Sequence, residues 1–286
     1  MKITLPLVLL AVSLPALASA VEINQTQAAT SSNNWNDAVL WGGSAPTTGN
    51  TYNTNGFQLV VFGNTDATPF EFGGDSLTVA SGSDLQSRGS GALRHWGGSI
   101  ILDGGNLTTG LNDGTTIQIS GDMTVASDST IRFASSNDNV VFQIDATLAG
   151  SSRLTVSSGG AGNGVLINNA ASTFDGAFRI LGSNTLSFGY GFTAADSTIS
   201  LASTGVLNLS QAISVGAFER DGLDLSGLPT NTPLSYTDLV NFDGALAANL
   251  IDGGGSISLI PESSTTALSF GLGCLALGVA LRRRCR

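Results

Sequence analysis

Along the chain pairs of apolar residues recur two positions apart, as in Leu77/Val79, Ile100/Leu102, Ile117/Ile119, Ile131/Phe133, Leu154/Val156, Leu186/Phe188, Ile199/Leu201, Leu207/Leu209 and Ile257/Leu259. Alternation with period two puts both members of a pair on one face of a β-strand, where a helix would need spacings of three and four. Between the pairs lie runs of Gly, Asn, Asp and Ser, such as Asp103-Gly104-Gly105-Asn106 and Asp252-Gly253-Gly254-Gly255, which accept positive φ and tight turns. No long amphipathic helix is patterned outside the two ends. The chain is therefore all-β, made of many short strands.

A faint internal repeat narrows the architecture. Gly74-Asp75 before Leu77-Thr78-Val79-Ala80-Ser81 recurs as Gly121-Asp122 before Met123-Thr124-Val125-Ala126-Ser127, an offset of 46 residues. That is two turns of a coil with about 20 to 25 residues per turn, a solenoid-scale period. A β-sandwich or jelly roll also alternates, but the repeat and the Gly/Asn turns favour a parallel β-helix. Trp35 and Trp41 with Phe57 are expected to cap its first coil, since end repeats must shield core edges. An aromatic platform stacking on sugar rings is the competing reading of these indoles. Leu234 to Phe242, with Tyr236, is expected to form closing strands.

Gly164-Val165-Leu166-Ile167-Asn168, then Ser172-Thr173-Phe174-Asp175-Gly176, then Ile180-Leu181-Gly182-Ser183-Asn184-Thr185-Leu186-Ser187-Phe188 is similar to the autotransporter-associated β-strand repeat, with Ser172 where that pattern commonly has asparagine. The resemblance implies a right-handed parallel β-helix stem. The long amphipathic strands of an outer-membrane barrel are not patterned here.

The two ends carry export signals of their own. Lys2 precedes an apolar run from Leu5 to Leu17 and the small-x-small triplet Ala18-Ser19-Ala20, so residues 1–20 read as a signal peptide cut by signal peptidase before Val21. At the finish, Pro261-Glu262-Ser263 is followed by an apolar stretch and then by Arg282-Arg283-Arg284-Cys285-Arg286. Ser264 to Leu281 is 18 residues, and at about 1.5 Å per residue such a helix approaches the roughly 30 Å of a bilayer core. The arginines resist translocation and would stay on the cytoplasmic side of the inner membrane. This tail resembles a PEP-CTERM sorting signal, with the sorting residues Pro261, Glu262, Ser263, Arg282, Arg283, Arg284 and Arg286, though Ser263 stands where the motif has a second proline. The resemblance implies recognition and removal of residues 261–286 by an exosortase-type enzyme. A permanent single-span anchor is the simpler alternative.

Residues 21–260 remain as one body, undivided by a Pro-rich or charge-block linker. The chain has 11 basic and 21 acidic residues; setting aside Lys2, four tail arginines and Glu262 leaves 6 − 20 = −14 for the body. Six scattered arginines make no basic stripe, so nucleic acid is excluded as a partner. Both cysteines, Cys274 and Cys285, lie in the tail, so the body has neither disulfides nor thiolate metal sites.

The catalytic inventory is short. His95 is the only histidine, which rules out a multi-histidine metal site and leaves one possible base for a Ser-His-Asp triad; flanked by Arg94 and Trp96, it reads as a surface or turn residue. The pairs Asp221/Asp224 and Asp103/Asp113 are no evidence of hydrolysis, because twenty acids in a coil supply carboxylate pairs by chance. No cofactor, metal site or catalytic residue is expected. The leading expectation is a non-enzymatic surface or matrix protein, structural or adhesive, in contact with exopolysaccharide. The alternatives are a β-helical polysaccharide lyase or hydrolase, recognised by a groove of clustered arginines and carboxylates, and a carbohydrate-binding protein, recognised by exposed tryptophans.

Overall fold

The structure, a computed structural model, describes residues 20–261 apart from positions 90, 111, 112, 136, 158 and 159. Residues 1–19, within the segment 1–20 read as a signal peptide, and residues 262–286, within the segment 261–286 read as a sorting tail, lie outside the described residues. Leu85, Leu107, Ile131, Val156, Ile180 and Leu201 face one another on successive parallel strands, and the step from rung to rung is uneven. Each coil takes up about 20 to 25 residues, as solenoid repeats do, and the body is a parallel β-solenoid of about 7 turns. Leu77, Ile100 and Met123 likewise occupy three successive rungs, so the repeat seen in the sequence spans two coils.

Each full coil turns three apolar pairs inward, as in Ile117/Ile119, Met123/Val125 and Ile131/Phe133, all of them buried. The alternating pairs named from the sequence all lie in this core. Polar side chains between them face outward because successive Cβ atoms alternate across the strand. The strands assemble into a 12-stranded and a 10-stranded sheet. Strand Leu93–Asp103 runs beside Thr116–Ser127 and the two bend together where Gly98 faces Gly121. In the segment that resembles the autotransporter repeat, Gly164–Ile167, Ala177–Ile180 and Thr185–Phe188 are strands. Its Phe174 is buried against Phe178, ring centroids 4.7 Å apart.

Both ends of the coil are closed. At the first, Trp35 meets Trp96 edge-on at 5.5 Å and Phe72 at 5.5 Å, while Trp41 meets Tyr52 at 5.1 Å. Trp35 and Trp41 thus cap the stack as expected; Phe57 is half-buried and makes no ring contact with them among the described residues. At the other end the expectation of closing strands is corrected. Of that stretch only Leu234–Ser235 is a strand, antiparallel to Ser256–Leu259, and Tyr236–Phe242 is an α-helix. Ser235 accepts from the Asp238 backbone N–H while Asp238 accepts from the Ser235 N–H, a reciprocal cap that starts the helix. Buried Leu239 and Leu246 then cover the last rung.

Candidate functional site

Residues singled out in the sequence come to different places. His95 is not a surface or turn residue: it sits within strand Leu93–Asp103 and is 5% exposed. Its strand is covered from the side by Asn64, whose N–H donates to the His95 carbonyl at 2.8 Å and whose carbonyl accepts from the His95 N–H at 2.7 Å. His95 Nε2 lies 3.3 Å from Ser120 Oγ, but Nδ1 has no partner among the described residues. A hydroxyl and an imidazole thus meet, without the carboxylate on Nδ1 that would orient the ring as a base. Arg94 faces inward, in register with Ile117, and donates to the Gly63 carbonyl, so it serves no surface ligand.

The paired aspartates are bound into the structure. Asp221 accepts from Arg179, and this bond holds its carboxyl below the usual aspartate range. Asp224 accepts from the Ser226 backbone and hydroxyl, which lowers it as well. Asp103 accepts from Ser127, and Asp113 from the Asp138 N–H. Among the described residues no three His, Cys, Asp or Glu side chains cluster as metal ligands. The tryptophans present no outer face: Trp35 and Trp96 are 0% exposed and Trp41 is 3% exposed. Stacking of sugars on them is thereby overturned, and the indoles are core. Of the residues read as a sorting signal, Pro261 is exposed at the end of the described chain; Glu262, Ser263, Arg282, Arg283, Arg284 and Arg286 lie outside it. Among the described residues no helix is long and apolar enough to cross a membrane.

Composition did not reveal the organised outer face of the 10-stranded sheet. Register lines up Gln86, Thr108, Arg132 and Ser157 in one outward column, and Asp84, Asn106, Thr130, Thr155, Arg179 and Ser200 in the next. Side chains on parallel neighbours repeat at about 4.8 Å, so these columns form continuous polar ladders. Arg132 bridges three rungs to Asp84 at 2.9 Å, and Asn106 donates to the other oxygen of the same carboxylate at 2.9 Å. Gln58 donates to Gln86 at 3.2 Å, and Arg88 Nε donates to the same Gln86 oxygen at 2.6 Å. A cleft of about 550 Å³ opens along this face, lined among others by Gln58, Asp84, Gln86, Thr108, Arg132 and Ser157. Inward residues could be read from alternation alone. The outward columns needed the register, which no constant period supplies because the coils differ in length.

No protein-family model, no curated protein and no solved structure matches the chain. The local likenesses of its repeat and tail are therefore motif resemblances.

Proposed function

We propose that the protein is a non-enzymatic, structural or adhesive component of the cell surface or extracellular matrix. In this reading residues 1–20 direct export and residues 261–286 halt in the inner membrane until an exosortase-type enzyme acts. The stem is right-handed, the hand that parallel β crossovers take in nearly all cases. The observation that carries the functional reading is the outer surface itself: polar ladders of amide, hydroxyl and ion-paired side chains laid over a core closed at both ends. Such a stack resists proteolysis and offers a long hydrogen-bonding face to exopolysaccharide. The body's net charge of 6 − 20 = −14 favours solubility outside the cell, and its lack of cysteine frees folding there from any oxidant.

A second reading, a polysaccharide lyase or hydrolase, has in its favour a cleft lined by Glu219, Arg220 and Asp221 and the cleft described above. In the latter, Arg132 and Asp84 neutralise each other, and general acid-base work would require one of them free near the scissile bond.

Sorting is tested by deletion of residues 261–286. The shortened protein is expected to fold and to be released in soluble form, no longer following the wild-type route to the surface. Unchanged localisation would remove the sorting role of the tail. Replacing Arg282, Arg283, Arg284 and Arg286 together by glutamine should weaken retention in the inner membrane before processing.

A further inference from the structure

We infer that the two ends of the stem bind each other, the first coil of one copy docking on the closing coil of the next, so that the protein assembles head to tail into a filament; this deepens the structural reading above and rests on it for the place where the filament forms. The distribution of exposed apolar side chains is the first observation. Among the described residues four large apolar side chains are between 42% and 59% exposed, and all four belong to the end elements. Val21 stands in the first strand, Val21–Asn24, and Val39 in the turn Ala38–Trp41, whose Leu40 carbonyl accepts from the Thr26 N–H just beyond that strand at 2.9 Å. Phe242 and Ile251 stand in the closing helix Tyr236–Phe242 and the strand Leu250–Asp252. Apolar contact with another molecule is thus concentrated at the two ends.

Open sheet edges are the second observation. Val21–Asn24 and Leu250–Asp252 are the first and last strands of the 12-stranded sheet, and each pairs on one side only, with Asn50–Asn53 and Val206–Leu209 respectively. The 10-stranded sheet hides its first edge instead: Leu59, Val60 and Val61 are all buried, and the Ala29 N–H donates to the Gln58 carbonyl just before them. A bare edge offers backbone donors and acceptors to an added strand. Strands of the 12-stranded sheet pair in parallel throughout, so Val21–Asn24 of a second copy would extend it beyond Leu250–Asp252 in the same direction. The first strand leads through Tyr52 and Leu77 to Ile100, after the bend at Gly98; Leu250 leads back through Leu207, Leu186, Val165 and Phe142 to Ile117, before the bend at Gly121. Successive copies are therefore turned about the coil axis, and a contact between unlike surfaces that does not close gives a helical filament.

Shape and charge select unlike ends. The closing segment holds a cleft of about 410 Å³ lined by Leu228, Pro229, Pro233, Leu234 and Phe242, which suits the exposed valines of a first coil. From Val21 to Asn64 the charged side chains are Glu22 and Asp37, and Asp37 accepts from the Asn34 N–H. From Asp221 to Ile260 there are five aspartates and no basic residue. Two closing ends repel each other, whereas the nearly uncharged first coil does not, and the ammonium left at Val21 by removal of residues 1–20 would be drawn to those aspartates.

The test is sedimentation velocity over a range of concentrations on protein purified from the cells that make it, with both chain ends read by mass spectrometry and mild detergent present where the tail is retained. A concentration-dependent series extending beyond dimers is expected, with filaments in electron micrographs. Val39→Asp and Ile251→Asp should each weaken association about tenfold or more, because a charge is carried into an apolar contact. Tm should not change, since both side chains are exposed in the single copy; should Ile251→Asp lower it, Phe242→Ser reads the same end. Each variant keeps one sound end, so mixing the two restores a heterodimer and nothing larger. A monomer at every concentration, a discrete dimer, or a series untouched by both variants would each overturn the inference. Dimers of Ile251→Asp alone would overturn it too, by showing contact between two first coils. Surface recovery is scored separately: a protein that reaches the surface as a monomer loses the filament and keeps its structural role, and one that assembles but stays in the cytosol keeps the filament and loses the surface role.

Discussion

Gly121 shows why the repeated Gly-Asp pairs exist. Its φ is +91°, and a Cβ there would stand 2.4 Å from the Gly98 carbonyl oxygen of the adjacent coil. Gly74 answers a different neighbour, since a Cβ would meet the Tyr52 ring at 2.4 Å. Gly121→Ala is expected to destabilise the body by about 2 kcal/mol or more, from strain at positive φ and a backbone clash, read as a lower urea midpoint. Ile131→Ala, at a fully buried inward position, should cost about 2 to 5 kcal/mol by transfer and cavity terms. Ile131 was legible because alternation alone assigns it to the inside. His95 was not: it faces out of the coil, and its burial depends on a segment well upstream, around Asn64, pairing with its strand. No local pattern carries that information.

The closing elements show the same limit one level up. Tyr236, Thr237 and Val240 favour strands by propensity, yet this stretch, expected to form closing strands, is helical. The competing signal was Ser235-Tyr236-Thr237-Asp238, where a reciprocal cap starts a helix with aspartate in the place usually held by glutamate or glutamine. Ser235→Ala should cost about 1 kcal/mol and loosen the end of the stack first, seen as faster amide exchange in Leu239 and Leu246. Hydrogen bonds from the Ser235 hydroxyl and N–H hold Asp238 below the usual aspartate range. A depressed folded-state value means that the cap contributes fully above the ordinary aspartate range, near pH 3.9, and its contribution is lost as pH falls through the lower folded value. At the opposite end the tryptophan cap was legible in Trp35 and Trp41. Its partners Tyr52, Phe72 and Trp96 were not, because they arrive from later coils. Trp35→Ala should cost about 3 to 5 kcal/mol and expose the first coil, with aggregation on heating as the visible sign.

Over the whole molecule, stability comes from repetition: each coil buries its apolar pairs against the next, and the caps close the series. Surface charge contributes little to this. Arg153 and Asp128 form a 2.7 Å pair with both side chains more than half exposed, so Arg153→Gln should shift stability by less than about 1 kcal/mol. Coil length and the solenoid class were readable from the one repeated Gly-Asp segment, whereas the cleft was not, because coils of unequal length move side chains between columns. The proposed role joins this stem to a cut at its start and a sorting event at its finish, and both leave marks on the covalent chain. Mass spectrometry of the protein recovered from the cell surface reads them together. A first residue of Val21 and a last residue close to Pro261 are expected; a cytosolic protein that still begins at Met1 and ends at Arg286 would contradict the proposal.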